Sequence, residues 1–209
     1  MKSFKHEFLS EAIKNNVLTF GEFELKSGRR SPYFFNAGKF SSGSAITMLG
    51  RCYAAAIVES NLQFDILFGP AYKGIPITIS TALALYEMYG LEVRYCYNRK
   101  ERKTHGEGGK IVGSVKGKKV LILDDVLTAG TALNQSINLV REMGGEVVSS
   151  VVALDREELV EGVLARDLIG EKTNSKLLSI ATISQLVDFF NQTNKTKEAR
   201  LISEYLSKQ

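Results

Sequence analysis

The apolar residues fall into short continuous runs, each followed by a stretch with helical spacing. FDILF (64–68), EVRYCYN (92–98), KKVLILD (118–124), EVVSSVVALD (146–155) and KLLSIATI (176–183) read as strands. KKVLILD is apolar at consecutive positions, as a parallel strand covered on both faces requires. Between the strands, Ile46, Leu49, Tyr53, Ile57 and Val58 mark one face of a helix from a cap at Ser41 or Ser42 to about Asn61. IPITISTALALYEMYG predicts a helix ending near Gly90. A third, with Leu133, Ile137, Val140 and Met143 on one side, stops at Gly144-Gly145. Strands alternating with helices predict an α/β fold, a mainly parallel central sheet flanked by helices with right-handed crossovers. The ends differ. Phe4, Phe8, Leu9 and Ile13 alternate with Glu7 and Glu11 in an amphipathic N-terminal helix, residues 17–40 read as short β pieces around turn signals, and residues 184–209 as two short helices.

The chain has 209 residues, 44% hydrophobic and 24% charged, which suits one large domain or a domain with a small appendage. The net charge of +4 suits anionic small molecules and is too mild to point to nucleic acid. Cys52 and Cys96 are far apart and lack metal-ligand neighbours, so both read as reduced core residues of a cytoplasmic protein. His6 and His105 are the only histidines, which argues against a His-based metal cluster. The N-terminal helix carries acidic residues and does not read as a signal peptide, and no apolar run is long enough to span a bilayer, so no membrane partner is expected. There is no Walker A loop, GxGxxG or HExxH.

In an open α/β sheet, ligands bind beyond the carboxyl ends of the strands. Three segments leaving strands at that end have unusual compositions. After KKVLIL come Asp124 and Asp125, and then Thr128, Ala129, Gly130, Thr131 and Ala132 lead into a helix. Backbone N–H groups at such a turn, the helix dipole and two hydroxyls form a phosphate cradle. Two carboxylates beside a phosphate need another task, either accepting hydrogen bonds from sugar hydroxyls or helping to hold Mg²⁺. The plainer reading, a capped turn, leaves the whole DDxxTAGT string unexplained. The second segment, GPAYKG (69–74), frames Lys73 with glycines where a cation could meet a diphosphate. The third, RKERKTHGEGGK (99–110), sets Arg99, Lys100, Arg102, Lys103, Lys110 and His105 against Glu101 and Glu107. It lacks the interleaved aromatics of a nucleic-acid patch. A basic loop hinged at Gly106, Gly108 and Gly109 suits a lid over an anion.

VLILDDVLTAGTAL closely resembles the phosphoribosyl-diphosphate (PRPP) motif of type I phosphoribosyltransferases, and KERKTHGEGG resembles the catalytic loop of the orotate-specific members. LKSG…SPYFFN, FGPAYKGIP and LDRE match those enzymes in the same order, so the resemblance spans about Phe20 to Arg156. It implies one phosphoribosyltransferase domain over residues 1–209, with about residues 1–40 as a hood over the base site. It further implies that PRPP is held by Lys26, Tyr72, Lys73, Arg99, Lys100, Lys103, His105 and the run Asp124, Asp125, Val126, Leu127, Thr128, Ala129, Gly130, Thr131 and Ala132. The acidic pair would meet the ribose 2′ and 3′ hydroxyls, and the turn after it the 5′-phosphate. Orotate would be held by Phe34, Phe35, Thr128 and Arg156, the arginine as a bidentate partner for its carboxylate. Lys103, Lys73, His105, Asp124 and Asp125 would carry catalysis, and Mg²⁺ would be bound mainly through PRPP, with Asp124 and Asp125 as the candidate protein ligands. The resemblance also implies a cytoplasmic homodimer in which lid residues 99–109 reach the neighbouring site. A purine phosphoribosyltransferase would keep DDxxTAGT without needing Arg156 or this lid. A PRPP-sensing regulator could dispense with the lid lysines.

Overall fold

The structure, a computed structural model, describes residues 2–24, 30–103 and 109–208, and only the backbone of Arg102 and Lys103. Helix α1 (Ser3–Lys14) leads into strands β1 (Leu18–Glu24) and β2 (Arg30–Phe35), which pair antiparallel. Next come α2 (Gly43–Ser60), β3 (Ile66–Gly69), α3 (Gly74–Tyr89), β4 (Arg94–Lys103), β5 (Gly109–Val112), β6 (Lys119–Leu127), α4 (Thr131–Glu142) and β7 (Glu146–Asp155). A small hairpin of β8 (Leu159–Val160) and β9 (Val163–Leu164) precedes α5 (Ala165–Thr173), and β10 (Leu178–Thr182), α6 (Ile183–Gln192) and α7 (Thr196–Leu206) complete the chain.

The central sheet has the order β10-β7-β6-β3-β4-β5. Every neighbouring pair from β10 to β4 is parallel, so these strands end along one common edge. Helices cover both faces, as the strand–helix alternation predicts. One core joins Leu121, Leu123 and Val151 to α1, α2, α3, α6 and α7. The other joins Val120, Ile122 and Val152 to Leu133, Ile137 and Val140 of α4 and to Ala165 and Ile169 of α5. Burying sheet residues on both faces is the physical cause of the unbroken apolar runs. Ser42 caps α2, its side chain accepting from the Ala45 N–H, and Asn61 closes the helix in the left-handed region. Both cysteines are buried free thiols. Among the described residues no helix is long and apolar enough to cross a membrane.

The structure departs from the sequence expectation in four places. Strand β4 continues through Arg99 to Lys103, and β5 returns antiparallel beside it, so the charged segment begins as a hairpin rather than a loop. Backbone pairing is indifferent to side-chain charge, and charged residues are common on sheet edges. Strand β6 runs on to Leu127, which places Asp124 and Asp125 inside the strand. Met143 lies past the end of α4 and is exposed, so it is not part of that helix's core face. Finally, the β8–β9 hairpin and α5 fill a region whose sequence carries no distinctive pattern.

Candidate active site

Four segments meet at the common carboxyl edge of the sheet. β6 delivers the acidic pair, with Asp124 and Asp125 both buried to 7% exposure. The chain then bends through Thr128 and Ala129 to Gly130, whose φ of +80° is left-handed and suits glycine, and α4 begins at Thr131. No side chain caps this helix, so its first N–H groups face the edge without an internal acceptor. Thr128 is half-buried, while Ala129, Thr131 and Ala132 are exposed. A 12-residue helix with an uncapped, glycine-led start beside two hydroxyls has the chemistry of an anion site. Val126 and Leu127 belong to the two cores and contribute backbone only.

The β3–α3 loop brings Lys73 over this pair, and its Nζ lies 2.8 Å from Asp125 Oδ2. Asn98 of β4 pins the loop by accepting the Ala71 N–H at 2.7 Å. Two glycines make the tight path possible, since a Cβ on Gly69 would overlap the Gly74 carbonyl and the Thr78 hydroxyl. Tyr72 is exposed, and Lys100 Nζ sits 4.6 Å from its ring centroid. Lys100 thus lies beside the β3–α3 loop of its own chain. Arg99 lies half-buried at the same strand. Lys26 and His105 fall outside the described residues, as does the side chain of Lys103.

Burial pushes the Asp124 carboxyl up to about 7, the charge of Asp125 adds to the rise, and the Asp125 N–H and Lys73 oppose it. The unfolded carboxyl titrates near ~4. Between those values the folded chain binds more protons, so this group's contribution to stability is full at low pH and is lost as pH rises through about 7. Asp124→Asn should therefore lose less thermal stability than the wild type on going from pH 5 to pH 8. Equal losses in melting experiments would remove Asp124 as the source.

Arg156 follows β7 at the same edge and is 3% exposed. Its Nε donates to Glu158 Oε1 at 2.6 Å and its Nη2 to Ser31 Oγ at 3.0 Å, while the guanidinium lies 4.3 Å from the centroid of Tyr33. The Tyr205 hydroxyl of α7 donates to the same Glu158 oxygen at 3.2 Å. The arginine is thus already paired and joins the β1–β2 hairpin and α7 to the sheet edge. Phe34 and Phe35 separate. Phe35 packs in the core near Phe8, whereas Phe34 is exposed and stacks on Phe23. Sequence reasoning missed Asn98, Glu158, Ser31, Tyr33 and Tyr205. Apart from Glu158, which lies two residues from Arg156, they act across long sequence separations.

Among the described residues no cluster of three or more acidic, histidine or cysteine side chains could hold a metal. Asp124 and Asp125 alone fit an ion that arrives with most of its oxygen ligands already supplied by a diphosphate.

Residues 37–181 match the phosphoribosyl transferase domain family. The orotate phosphoribosyltransferase of Hamiltonella defensa is 49% identical over 200 residues, covering 95% of this chain and 92% of its own. That of Shigella flexneri is 46% identical over 199 residues, covering 95% and 93%. Among solved structures, the orotate phosphoribosyltransferase of Francisella tularensis superposes with a TM-score of 0.84 at 36% identity, covering 97% of this chain and 98% of its own. On that breadth of identity, with the acidic strand, the uncapped helix and the lysine loop gathered at one edge, the chain belongs to the phosphoribosyltransferase family and to its orotate phosphoribosyltransferase branch.

Proposed function

We propose that the chain transfers the phosphoribosyl group of PRPP to N1 of orotate, giving orotidine 5′-monophosphate and pyrophosphate, the phosphoribosyl step of pyrimidine synthesis. The observation that carries this reading is the Lys73–Asp125 pair set beside the uncapped start of α4. One edge offers a cation for the diphosphate, carboxylates for the ribose hydroxyls and N–H groups for the 5′-phosphate. Lys73 and Asp125 satisfy each other, and bound PRPP would separate them, the lysine turning to the diphosphate and the carboxylate to the sugar. The 5′-phosphate anchor at residues 128–132 is remote from C1′, so its binding energy supports positioning of the bond that breaks. Magnesium bound on PRPP would neutralise the leaving diphosphate, with Asp124 and Asp125 near it. Arg99, Lys100, Lys103 and His105 add positive charge where negative charge develops. Lys26 joins the PRPP set on the resemblance alone.

Orotate lies between the hairpin and the β7 edge, with Thr128 beneath it. β2 has a strand neighbour on one side only, so alternate backbone groups near Phe34 and Phe35 are open to the ring's imide edge. Arg156 meets the carboxylate with the part of its fork that Glu158 does not use. Two copies complete the enzyme. Leu83, Tyr86, Met88 and Tyr89 of α3, with Leu91 and Tyr95 after it, form an exposed apolar surface suited to a second copy. Docked there, each chain's β4–β5 hairpin would bring Lys103 and His105 to its neighbour's site.

The test is loss of orotate's ultraviolet absorbance on adding PRPP and Mg²⁺, with purine bases run in parallel. Loss with orotate alone, abolished by a chelator, is the expected result. Product from a purine alone would overturn the base assignment, and PRPP binding without turnover of any base would favour a sensor. In the same assay Arg156→Ala should raise the KM for orotate while leaving that for PRPP near wild type. It should also destabilise the fold by about 3–5 kcal/mol, because Glu158 would remain buried without its partner.

A further inference from the structure

Tyr53 lies on α2, far in sequence from every motif above, and is fully buried. Its hydroxyl donates to the backbone carbonyl of Asp124 at 2.6 Å. Burial drives this hydroxyl well above the ordinary phenol value, the charges of Asp125 and Asp124 add to the rise, and a backbone hydrogen bond from Ala153 opposes it. The hydroxyl therefore holds the peptide that joins the two carboxylates by its carbonyl.

The ladder between those strands responds at the same place. Pairing is continuous from Leu121 opposite Ser149 to Asp124 opposite Val152, and resumes with Val126 opposite Leu154, while the pair Asp125–Ala153 is skipped. The Asp125 N–H is taken by Asp124 Oδ1 at 2.9 Å instead. The alternation of side chains reverses across this step. Val120 and Ile122 enter the α4-side core and Leu121 and Leu123 the α2-side core, but beyond the acidic pair Val126 packs on the α2 side and Leu127 on the α4 side. In β7, Ala153 and Leu154 fall in succession on the α2 side. Adjacent residues of a regular strand point to opposite faces, so two neighbouring carboxylates cannot both serve one sugar without such a reset.

We propose that Tyr53 is a positioning residue for the acidic pair: its hydroxyl holds the carbonyl of the peptide that joins Asp124 to Asp125, where side-chain alternation along β6 resets, and so keeps both carboxylates turned toward the ribose. This rests on the ribose-binding reading of the pair. Without the hydroxyl, the carbonyl between the two carboxylates loses its anchor on α2, and the reset of the alternation is no longer held.

The experiment compares wild type, Tyr53→Phe and Ile57→Val as full chains. Ile57, one turn along α2, lies in the same core without touching the strands' polar groups in any hydrogen bond, and it controls for lost stability. Tyr53→Phe should lower kcat/KM for PRPP by roughly 10- to 100-fold with the KM for orotate within about twofold, and weaken Mg–PRPP binding measured by calorimetry without orotate. Ile57→Val should show neither effect at a comparable fall in Tm. Wild-type PRPP kinetics in Tyr53→Phe, or the same loss in Ile57→Val, would overturn the proposal. Should Tyr53→Phe not fold, the wild type decides: slow solvent exchange of the Tyr53 hydroxyl proton, as its buried hydrogen bond to the Asp124 carbonyl requires, is expected in NMR spectra, and rapid exchange would overturn the anchor. A wild type that shows that slow exchange but binds no PRPP would instead overturn the ribose reading.

Discussion

Lys103→Ala is expected to lower kcat by roughly 10²- to 10³-fold while the KM for PRPP stays within about threefold of wild type. As the bond at C1′ breaks, positive charge grows on the sugar and negative charge on the departing diphosphate. A cation that meets this charge only when the lid closes contributes more to the transition state than to the bound ground state. Lys103 stands at the end of β4, where the strand pairs Lys103 with Gly109 of β5, beyond Lys100, which is already engaged with Tyr72. On the proposed reading Lys73 and Lys100 would serve the PRPP site of their own chain, and Lys103, at the end of β4, would act on the breaking bond. Steady-state kinetics with both substrates varied provides the check. A kcat within about threefold of wild type would take Lys103 out of the mechanism.

Gly69→Ala should be nearly as damaging, by a different route. A Cβ at this position would overlap the carbonyl oxygen of Gly74 and the hydroxyl of Thr78, and would lie 2.7 Å from the Gly74 carbonyl carbon. Backbone on α3 cannot yield without moving the start of that helix, so the loop carrying Tyr72 and Lys73 must shift. On the proposal that this loop binds the diphosphate, such a displacement is expected to cost roughly 100-fold in kcat/KM for PRPP. Overpacking adds about 1–3 kcal/mol of lost stability, visible as a lower Tm. Unaltered PRPP kinetics would mean that the loop's path is not what positions Lys73. The two variants separate cleanly: Lys103→Ala acts on turnover with the fold intact, whereas Gly69→Ala acts on PRPP binding and on stability together.

The cluster around Arg156 shows how the hood and the sheet depend on each other. Ser31 and Tyr33 come from the hairpin, Glu158 from the segment after β7 and Tyr205 from the last helix. A buried, hydrogen-bonded ion pair with ligands from three regions is costly to break and holds their relative geometry. A base bound there is held by elements whose only common reference is this cluster.

The local arrangement of the site was legible in the residues themselves. An apolar run buried on both faces, an acidic pair and a glycine-led helix start are neighbours in sequence, so their order along β6 and the turn into α4 follow from short-range sterics and hydrogen bonding, though not the orientation of the two carboxylates. The alternation of such runs with helical stretches likewise determined the parallel sheet and the shared carboxyl edge. Pairing between distant segments was a different matter. That charged residues 99–103 extend a strand was decided by the partner β5, because ladder hydrogen bonds involve the backbone and carry no side-chain signature. The engagement of Arg156 by Glu158 and Ser31, the pinning of Ala71 by Asn98 and the hydroxyl of Tyr53 on the Asp124 carbonyl were decided only when the chain folded. In the sequence Tyr53 is one more apolar position on a helix face. Its phenolic oxygen acquires meaning only where packing leaves it buried beside backbone groups that must find partners.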